Sequence, residues 1–195
     1  MPLEVRALAG SELADALQDL ARLRIEVFRA WPYLYDGDAA YEERYLRGYA
    51  DDPAATLVAA CDGDCIVGAS SGLPLEAHGD AKHLILPDAA PDRSRIYYCA
   101  ESVLLPEYRG RGVGGRFFDL REETARRAGF SATLFAAVIR AADAPRRPVA
   151  HRSLEPFWRK RGYAPLPGAS LSIAWKDVGT PGETSKEFAV WMRPL

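Results

Sequence analysis

Arg109-Gly110-Arg111-Gly112-Val113-Gly114 is a glycine-rich stretch that separates an apolar run ending at Leu105 from a segment with helical periodicity. Without a Cβ at Gly110, Gly112 or Gly114, the backbone can adopt left-handed dihedral angles and bring several N–H groups close to an anion. The positive end of the dipole of the following helix favours the same ligand. The stretch therefore predicts a site for a cofactor that carries a pyrophosphate group.

Three kinds of phosphate-binding loop could account for these glycines. The P-loop of nucleoside triphosphatases needs a lysine followed by Ser or Thr after its last glycine, whereas Gly115-Arg116-Phe117 follows here. A dinucleotide fingerprint needs an acidic residue at the end of the next strand, but that strand ends in Ile139-Arg140. Both interpretations are therefore disfavoured, and the third depends on the neighbouring residues.

Residues 103–114 closely resemble the acyl-CoA-binding motif of the GCN5-related N-acetyltransferases, whose signature is Arg/Gln-x-x-Gly-x-Gly or Ala. Arg109, Gly112 and Gly114 occupy its defining positions. Downstream, Phe157-Trp158-Arg159-Lys160-Arg161-Gly162-Tyr163 resembles the helix-to-strand segment of that family. The alternative is a glycine-rich turn that only lets a helix pack on a sheet.

The resemblance covers residues 3 to 195 and implies one N-acetyltransferase domain over the chain, 1–195, with an α/β (α+β) acyl-CoA N-acyltransferase fold. In that fold a mixed, mostly antiparallel sheet of about seven strands is flanked by helices, and two central parallel strands splay apart to admit the cofactor. The periodicity itself predicts strands at 3–8, 56–61, 65–73, 96–105, 131–139, 170–176 and 186–192. It predicts helices from 11 to the Trp31-Pro32 break and at 39–49, 113–128 and 154–161, with a long, mobile connection at 74–94.

The composition is that of an ordinary globular domain. The chain has 195 residues, of which 48% are hydrophobic and 27% charged. No apolar run reaches the roughly 20 residues of a membrane-spanning helix, and the first residues lack the pattern of a signal peptide, so we expect a cytoplasmic protein without a membrane partner. A formal net charge of −2 argues against a nucleic-acid partner.

Neither the cysteines nor the histidines indicate a metal site. Cys61, Cys65 and Cys99 are odd in number, which suggests reduced thiols, and the histidines share no ligand spacing. We therefore expect no metal. Acidic residues predominate over residues 26–52 and basic residues over 140–161, so one end of the molecule is expected to favour cations.

The predicted cofactor site uses main-chain donors from Arg109, Gly110, Arg111, Gly112, Val113 and Gly114, with the two arginines adding positive charge. By resemblance, Val103 and Leu105 meet the pantetheine arm, and an N–H near Leu104 or Leu105 polarises the thioester carbonyl. The alternative for these apolar residues is core packing, and both roles are compatible.

Glu101 is the candidate general base. It is the only acidic residue between Ile96 and Leu105, and a desolvated carboxylate beside the cleft gains basicity suited to an amine proton. In related acetyltransferases a carboxylate on this strand often acts as the base. A structural glutamate paired with an arginine is the alternative.

The late helix departs from the family pattern, because Trp158 stands where the family usually has a tyrosine that acts as general acid. Trp158 is expected to pack against the cofactor arm. His151 stands where an asparagine often lies near the thioester sulfur. The thiolate proton would then come from Tyr163, from Tyr97 or Tyr98, from His151, or from solvent.

The loop after the first helix carries Trp31, Tyr33 and Tyr35 beside Asp36 and Asp38. Aromatic faces and carboxylates together suit an amine or ammonium substrate. By resemblance, this loop lies on the substrate side of the fold. Packing into the core is the alternative.

These features predict an acetyl-CoA-dependent N-acetyltransferase that acts by direct attack of a primary amine, from a small molecule or peptide, in a ternary complex. A non-catalytic acyl-CoA-binding or sensor module with the same fold is the alternative, which the missing tyrosine at Trp158 favours. An exposed edge at the final strands could pair two copies into a homodimer.

Overall fold

The computed structural model describes residues 3–8, 11–50 and 52–195. Its strands are β1 (Glu4–Ala7), β2 (Thr56–Asp62), β3 (Cys65–Pro74), β4 (Ile96–Leu104), β5 (Ala132–Val138), β6 (Ala164–Pro165), β7 (Leu171–Lys176) and β8 (Glu183–Pro194). Its α-helices are α1 (Ser11–Phe28), α2 (Ala39–Ala50), α3 (Val113–Arg127) and α4 (Glu155–Lys160). Every predicted strand and helix is present, with ends that differ by a few residues.

The strands of the described residues form one eight-stranded sheet in the order β1-β2-β3-β4-β5-β8-β6, and β7 also pairs with β8. Its pairs are antiparallel except for β4 with β5, which run parallel. The mixed, mostly antiparallel sheet is therefore confirmed. The predicted set of about seven strands omits β6, whose two residues are too few to show an alternating pattern.

Helices cover both faces of the sheet. On one face, Leu20 and Leu23 of α1 and Leu46 of α2 are buried in a core that includes Val103 of β4. On the other face, Phe118 of α3 packs in a second cluster with side chains of α4 and β8. The apolar side of the first helix therefore faces the core.

The connection between β3 and β4, for which the sequence predicts a mobile segment, contains buried residues that pack on the sheet. It contains the short 3-10 helices Leu75–Ala77, Gly79–His83 and Arg93–Arg95. Leu75, His78 and Leu84 are buried, because their side chains complete the core under the sheet. An isolated bridge from Ile85 to Ser170 ties the connection to the last strands.

A bulge in β4 determines which side chains reach each face. The register with β3 pairs Ser71 with Glu101 but Leu73 with Tyr98, so Cys99 and Ala100 together stand opposite Gly72. An extra residue in one strand reverses the alternation of its side chains and bends the strand. Glu101 consequently shares the α1 face with Tyr98, although the two are three positions apart.

The central parallel strands separate where the bulge begins. β4 and β5 are paired only from Ile96 to Tyr98 and from Ala132 to Leu134. Beyond these pairs, β4 continues to Leu104 and β5 to Val138 without pairing to each other. The result is a wedge-shaped cleft between two strand edges, as the family resemblance implied.

Candidate functional site

The cleft between β4 and β5 exposes backbone groups of a central strand. Ser102 is exposed although it lies in the middle of the sheet. The Leu105 N–H donates to the Val67 carbonyl at 3.0 Å, so the alternation of an antiparallel ladder also turns the Val103 peptide toward β3. The backbone groups of Ser102 and Leu104 therefore face the cleft.

The register of β4 with β3 determines which of the two predicted oxyanion donors, the Leu104 or the Leu105 N–H, faces the cleft. The Leu105 N–H is already used within the sheet, so that candidate was wrong, whereas the Leu104 N–H is directed to the cleft. The Leu104 carbonyl accepts a hydrogen bond from Arg109 Nε at 3.2 Å, which anchors the glycine loop to the end of β4. Val103 is buried in the core, as the packing alternative anticipated.

The glycine loop begins after the 3-10 helix Pro106–Tyr108 and ends at the first residue of α3. Gly110 and Gly112 have positive φ angles of 77° and 83°, which only glycine adopts without strain. Gly114 lies within α3, so the expectation of a left-handed conformation at this third glycine was wrong. A Cβ at Gly114 would lie 3.7 Å from Phe157 Cζ, an ordinary contact.

The loop has the donor set that a pyrophosphate requires. Gly112 is the N-cap of α3 and supplies no side-chain hydrogen bond, so the first N–H groups of the helix are left for an external acceptor. A Cβ at Gly110 or Gly112 would meet no atom within 4 Å, which means that space is open above the loop. Arg109 and Arg111 are exposed at its edge. These residues fit the pyrophosphate of coenzyme A.

Glu101 forms an ion pair on the α1 face of the cleft. Its Oε1 lies 2.8 Å from Arg24 Nη1, and its Oε2 accepts a hydrogen bond from the Tyr45 hydroxyl at 3.1 Å. Only 9% of the Glu101 side chain is exposed. The pairing with an arginine, which the sequence left open as an alternative, is thus present in the structure.

Arg24 joins Glu101 to a second carboxylate, that of the fully buried Glu42. The guanidinium also stacks on the Tyr45 ring, 4.3 Å from its centroid, and the Tyr45 and Tyr49 hydroxyls are 3.0 Å apart. We refer to Arg24, Glu42, Tyr45, Tyr49 and Glu101 as the Arg24 cluster. With two carboxylates and one guanidinium, the cluster carries a net charge of −1.

The electrostatics of the Arg24 cluster keep its cation charged and its hydroxyls protonated. Burial lowers the pKa of Arg24, but Glu101 and the other neighbours outweigh it and hold that pKa well above its usual value. Burial and the charge of Glu101 raise the pKa of Tyr45 and of Tyr49 well above the usual range. The cluster therefore offers carboxylate acceptors and hydroxyl donors, a combination suited to an amine.

The three aromatic residues predicted to line the substrate site have different surroundings. Tyr33 packs on Phe28, with ring centroids 4.5 Å apart, and burial together with Glu101 raises its pKa to about 12. Burial and a hydrogen bond to Glu42 raise the pKa of Tyr35. Tyr33 and Tyr35 thus border the Arg24 cluster. Trp31 lies edge-on to His151 at 5.9 Å.

The residues predicted around the thioester lie in different parts of the structure's last third. His151 lies in the irregular segment before α4 and not within a helix, because α4 begins only at Glu155. Trp158 packs against Phe135 and Trp191, with ring centroids 5.0 and 5.2 Å away. Trp158 therefore packs against other side chains of the protein.

Tyr163 occupies a structural position. Its hydroxyl lies 2.8 Å from Thr133 Oγ1 and donates to Glu122 Oε1 at 3.2 Å, and the residue is buried. Burial raises its pKa above the usual range. Because these partners lie in the core on the α3 side, the geometry does not favour Tyr163 as an acid for the thiolate.

Arg121 is a functional candidate that the sequence analysis missed. Only 1% of this residue is exposed, and it donates to the carbonyls of Ser71 and Glu101 at 3.1 and 3.0 Å and to Ser102 Oγ at 3.0 Å. It thereby fixes α3 to the bulged part of β4. A charged residue within the apolar stripe of a helix is the available signal, and Arg24 shows the same signal in α1.

No group of three or more His, Cys, Asp or Glu side chains converges as a metal site among the described residues. None of the helices described is both long and apolar enough to span a membrane.

Comparison with known proteins identifies relatives of the whole fold. A family model described as the acetyltransferase (GNAT) family matches residues 17–155. Among curated proteins, no sequence matches the chain significantly. A GCN5-related N-acetyltransferase from Kribbella flavida is similar in structure, with 19% identity, a TM-score of 0.58 and coverage of 99% of this chain and 98% of that one.

Two further structures with the same fold contain the coenzyme. The yncA protein of Salmonella typhimurium, solved with its cofactor acetyl-CoA, is 12% identical, with a TM-score of 0.62 and coverage of 100% of this chain and 95% of that one. The paia N-acetyltransferase of Thermoplasma acidophilum, in complex with coenzyme A, is 13% identical, with a TM-score of 0.54 and full coverage of both chains.

Proposed function

The chain belongs to the acetyltransferase (GNAT) family, and on that premise we propose that it transfers the acetyl group of acetyl-CoA to a primary amine. The observation that carries the proposal is the cleft itself. Its two unpaired strand edges separate beyond Tyr98 and Leu134, the glycine loop follows the open end of β4, and the Glu101 carboxylate lies on its wall. This combination matches a ligand that carries a pyrophosphate and a long arm.

Acetyl-CoA supplies the activated carbonyl carbon when it is bound. The N–H groups at the start of α3 hold its pyrophosphate, with Arg109 and Arg111 adding charge. The Leu104 N–H donates to the thioester carbonyl oxygen, where negative charge develops. Orientation of both substrates then replaces a bimolecular encounter by a positioned one.

The acceptor is a cationic amine in this proposal. The Arg24 cluster has a net negative charge, and the hydroxyls of Tyr45 and Tyr49 remain protonated beside it. Tyr33 adds an aromatic face next to the same carboxylates. Glu101 then removes the proton of the bound ammonium group, so that the free amine attacks.

The proton for the coenzyme A thiolate needs a different source. Tyr97, Tyr98 and Tyr163 are all buried, and the hydroxyls of Tyr97 and Tyr163 are hydrogen-bonded within the core. Of the proton donors that the sequence suggests for the thiolate, His151 and solvent therefore remain.

The release of coenzyme A thiol tests this function. Purified protein with acetyl-CoA is assayed against spermidine, tyramine, lysine and kanamycin, and we expect release that requires both substrates. Glu101→Gln should lower kcat by about 10²–10⁴-fold at an unchanged Kd for acetyl-CoA, because a general base contributes that much. Glu123→Gln removes an exposed carboxylate paired with Arg127 and serves as the matched control.

A non-catalytic acyl-CoA-binding module is the second candidate. It is favoured by the engagement of Glu101 with Arg24 and by Trp158 at the position of the family's tyrosine. Binding of acetyl-CoA by calorimetry without thiol release on the amine panel would support this candidate. Undiminished turnover by the Glu101→Gln protein would instead refute Glu101 as the base.

A further inference from the structure

We propose that Tyr45 and His78 form a proton exit that carries the amine proton from Glu101 to a second cavity at the surface. This inference rests on the proposed function, because only amine acetylation releases that proton at Glu101. It assigns a role to two residues that neither the motifs nor the family resemblance singled out.

A continuous chain of hydrogen-bonding atoms leads away from the cleft. The Tyr45 hydroxyl lies 3.1 Å from Glu101 Oε2 and 3.1 Å from His78 Nε2. It is therefore in hydrogen-bonding contact with the carboxylate and the imidazole at the same time. Both distances are within the range of ordinary hydrogen bonds.

His78 connects this chain to solvent. It is 6% exposed and lines an open cavity of about 420 Å³ together with Glu76, Lys82 and Arg93. The cavity is formed by the connection between β3 and β4 and does not include Glu101. A proton that reaches His78 is therefore released on a different side of the Arg24 cluster from the substrates.

The groups around His78 hold its ring in place. The Tyr45 and Tyr49 rings of α2 and the Tyr98 ring of β4 meet it edge-on, with centroids 6.0, 6.2 and 4.8 Å away. Three aromatic contacts and the contact to Tyr45 leave Nε2 aimed at the hydroxyl. The imidazole is thus fixed in a position suited to accept a proton.

The transfer balances as follows. The ammonium N–H bond breaks and leaves its electron pair on nitrogen, while an O–H bond forms on Glu101. Glu101 then donates its proton to the Tyr45 oxygen as the Tyr45 O–H proton passes to His78 Nε2. His78 starts as the tautomer with its proton on Nδ1, so the imidazolium releases its Nδ1 proton to water in the cavity. Tyr45 and Glu101 return to their starting protonation states, and His78 returns to its starting tautomer when its remaining ring proton moves from Nε2 to Nδ1.

Tyr45 is suited to pass a proton without ionising. Burial and the nearby Glu101 raise the pKa of its hydroxyl well above the usual range, so a free phenolate is strongly disfavoured. A hydroxyl that accepts one proton while it donates another avoids this charged form. His83 is an exposed histidine of the same connection and lies outside the residues that line the cavity, so its removal provides a matched control.

Chemical rescue distinguishes a proton exit from a structural role. We measure kcat of the His78→Ala, Tyr45→Phe and His83→Ala proteins with acetyl-CoA and the best amine of the panel, with and without added imidazole. His78→Ala and Tyr45→Phe should each lose at least about tenfold in kcat, less than the ~10²–10⁴-fold of a direct base. Imidazole should restore the His78→Ala protein alone, and His83→Ala should stay near wild type.

Each other outcome contradicts the proposal. A His78→Ala protein that keeps wild-type kcat, or one that loses kcat without rescue by imidazole while its circular dichroism is unchanged, refutes the proton exit but not the acetyl transfer. Absence of thiol release by the wild-type protein with every amine overturns the proposed function, and the proton exit with it.

Discussion

The Gly72→Ala substitution should destabilise the protein and slow acetyl transfer, because Gly72 stands opposite the bulge of β4. A Cβ at this position would lie 2.6 Å from Tyr97 Cε1 and 3.3 Å from the Tyr98 carbonyl oxygen. Ordinary carbon contacts are about 3.5–4.0 Å, so the ring must move by about 1 Å. Tyr97 is fully buried and its hydroxyl is 2.9 Å from Thr56 Oγ1, which opposes that movement.

Overpacking of this kind costs about 1–3 kcal/mol. For a chain of this length the loss corresponds to a fall in Tm of about 2–12 °C. If β4 moves away to relieve the contact, Glu101 moves with it, and a displacement of about 1 Å in an active site lowers kcat by about 10²-fold. Stability and activity should therefore fall together.

Urea unfolding followed by circular dichroism measures the stability, and thiol release measures kcat. Gly48→Ala is the matched control, because a Cβ there meets no atom within 4 Å and lies in α2. Alanine in a helix is favoured over glycine by up to about 1 kcal/mol, so the control should be slightly stabilised. A Gly72→Ala protein as stable and active as wild type would refute the role assigned to the bulge.

Three other substitutions probe the loop, the core and a largely buried ion pair. Gly112→Ala places a Cβ at a φ of 83°, so it should lower the free energy of unfolding by about 1–2 kcal/mol in a thermal melt. It should also weaken coenzyme A binding in calorimetry, and an unchanged affinity would contradict the role assigned to the loop. Tyr163→Phe should lose about 1–3 kcal/mol, because Glu122 loses a buried donor, and should keep its kcat; a large fall in kcat would restore Tyr163 as the acid. Burial raises the pKa of Asp177, but hydrogen bonds from Arg140 and Lys186 lower it more strongly, so the pKa lies below its usual value. The ionised Asp177 therefore stabilises the fold above the unfolded pKa of about 3.9, and this contribution is lost as the pH falls through the folded pKa. Asp177→Asn should reduce the loss of unfolding free energy at acidic pH, measured by unfolding at several pH values. An unchanged loss would count against the pairing.

The sequence predicts those parts of the site that depend on local chemistry. The positive φ angles of Gly110 and Gly112 and the start of α3 follow from neighbouring residues. Gly114 was misassigned because glycine permits a left-handed conformation without requiring one, and the helix that begins at Val113 already includes it.

The parts that the sequence does not predict depend on contacts between distant residues. The choice of Leu104 over Leu105 as donor follows from the register with β3 and its bulge, which the alternation within one strand does not reveal. The pairing of Glu101 with Arg24 joins a strand to a helix 77 positions away, so the sequence could name the glutamate but not its partner. His78 lies in a segment without periodicity, so no sequence pattern indicated a role for it.

The short parallel pairing also bears on how the molecule moves. In the described chain, three residue pairs between Ile96–Tyr98 and Ala132–Leu134 join the β1–β4 half of the sheet to the half built from β5 onward. A hinge motion at this seam widens the cleft while the ladders within each half stay intact. Amide hydrogen exchange should therefore detect opening as a local event, separate from global unfolding, and a bound ligand that touches both halves should suppress it.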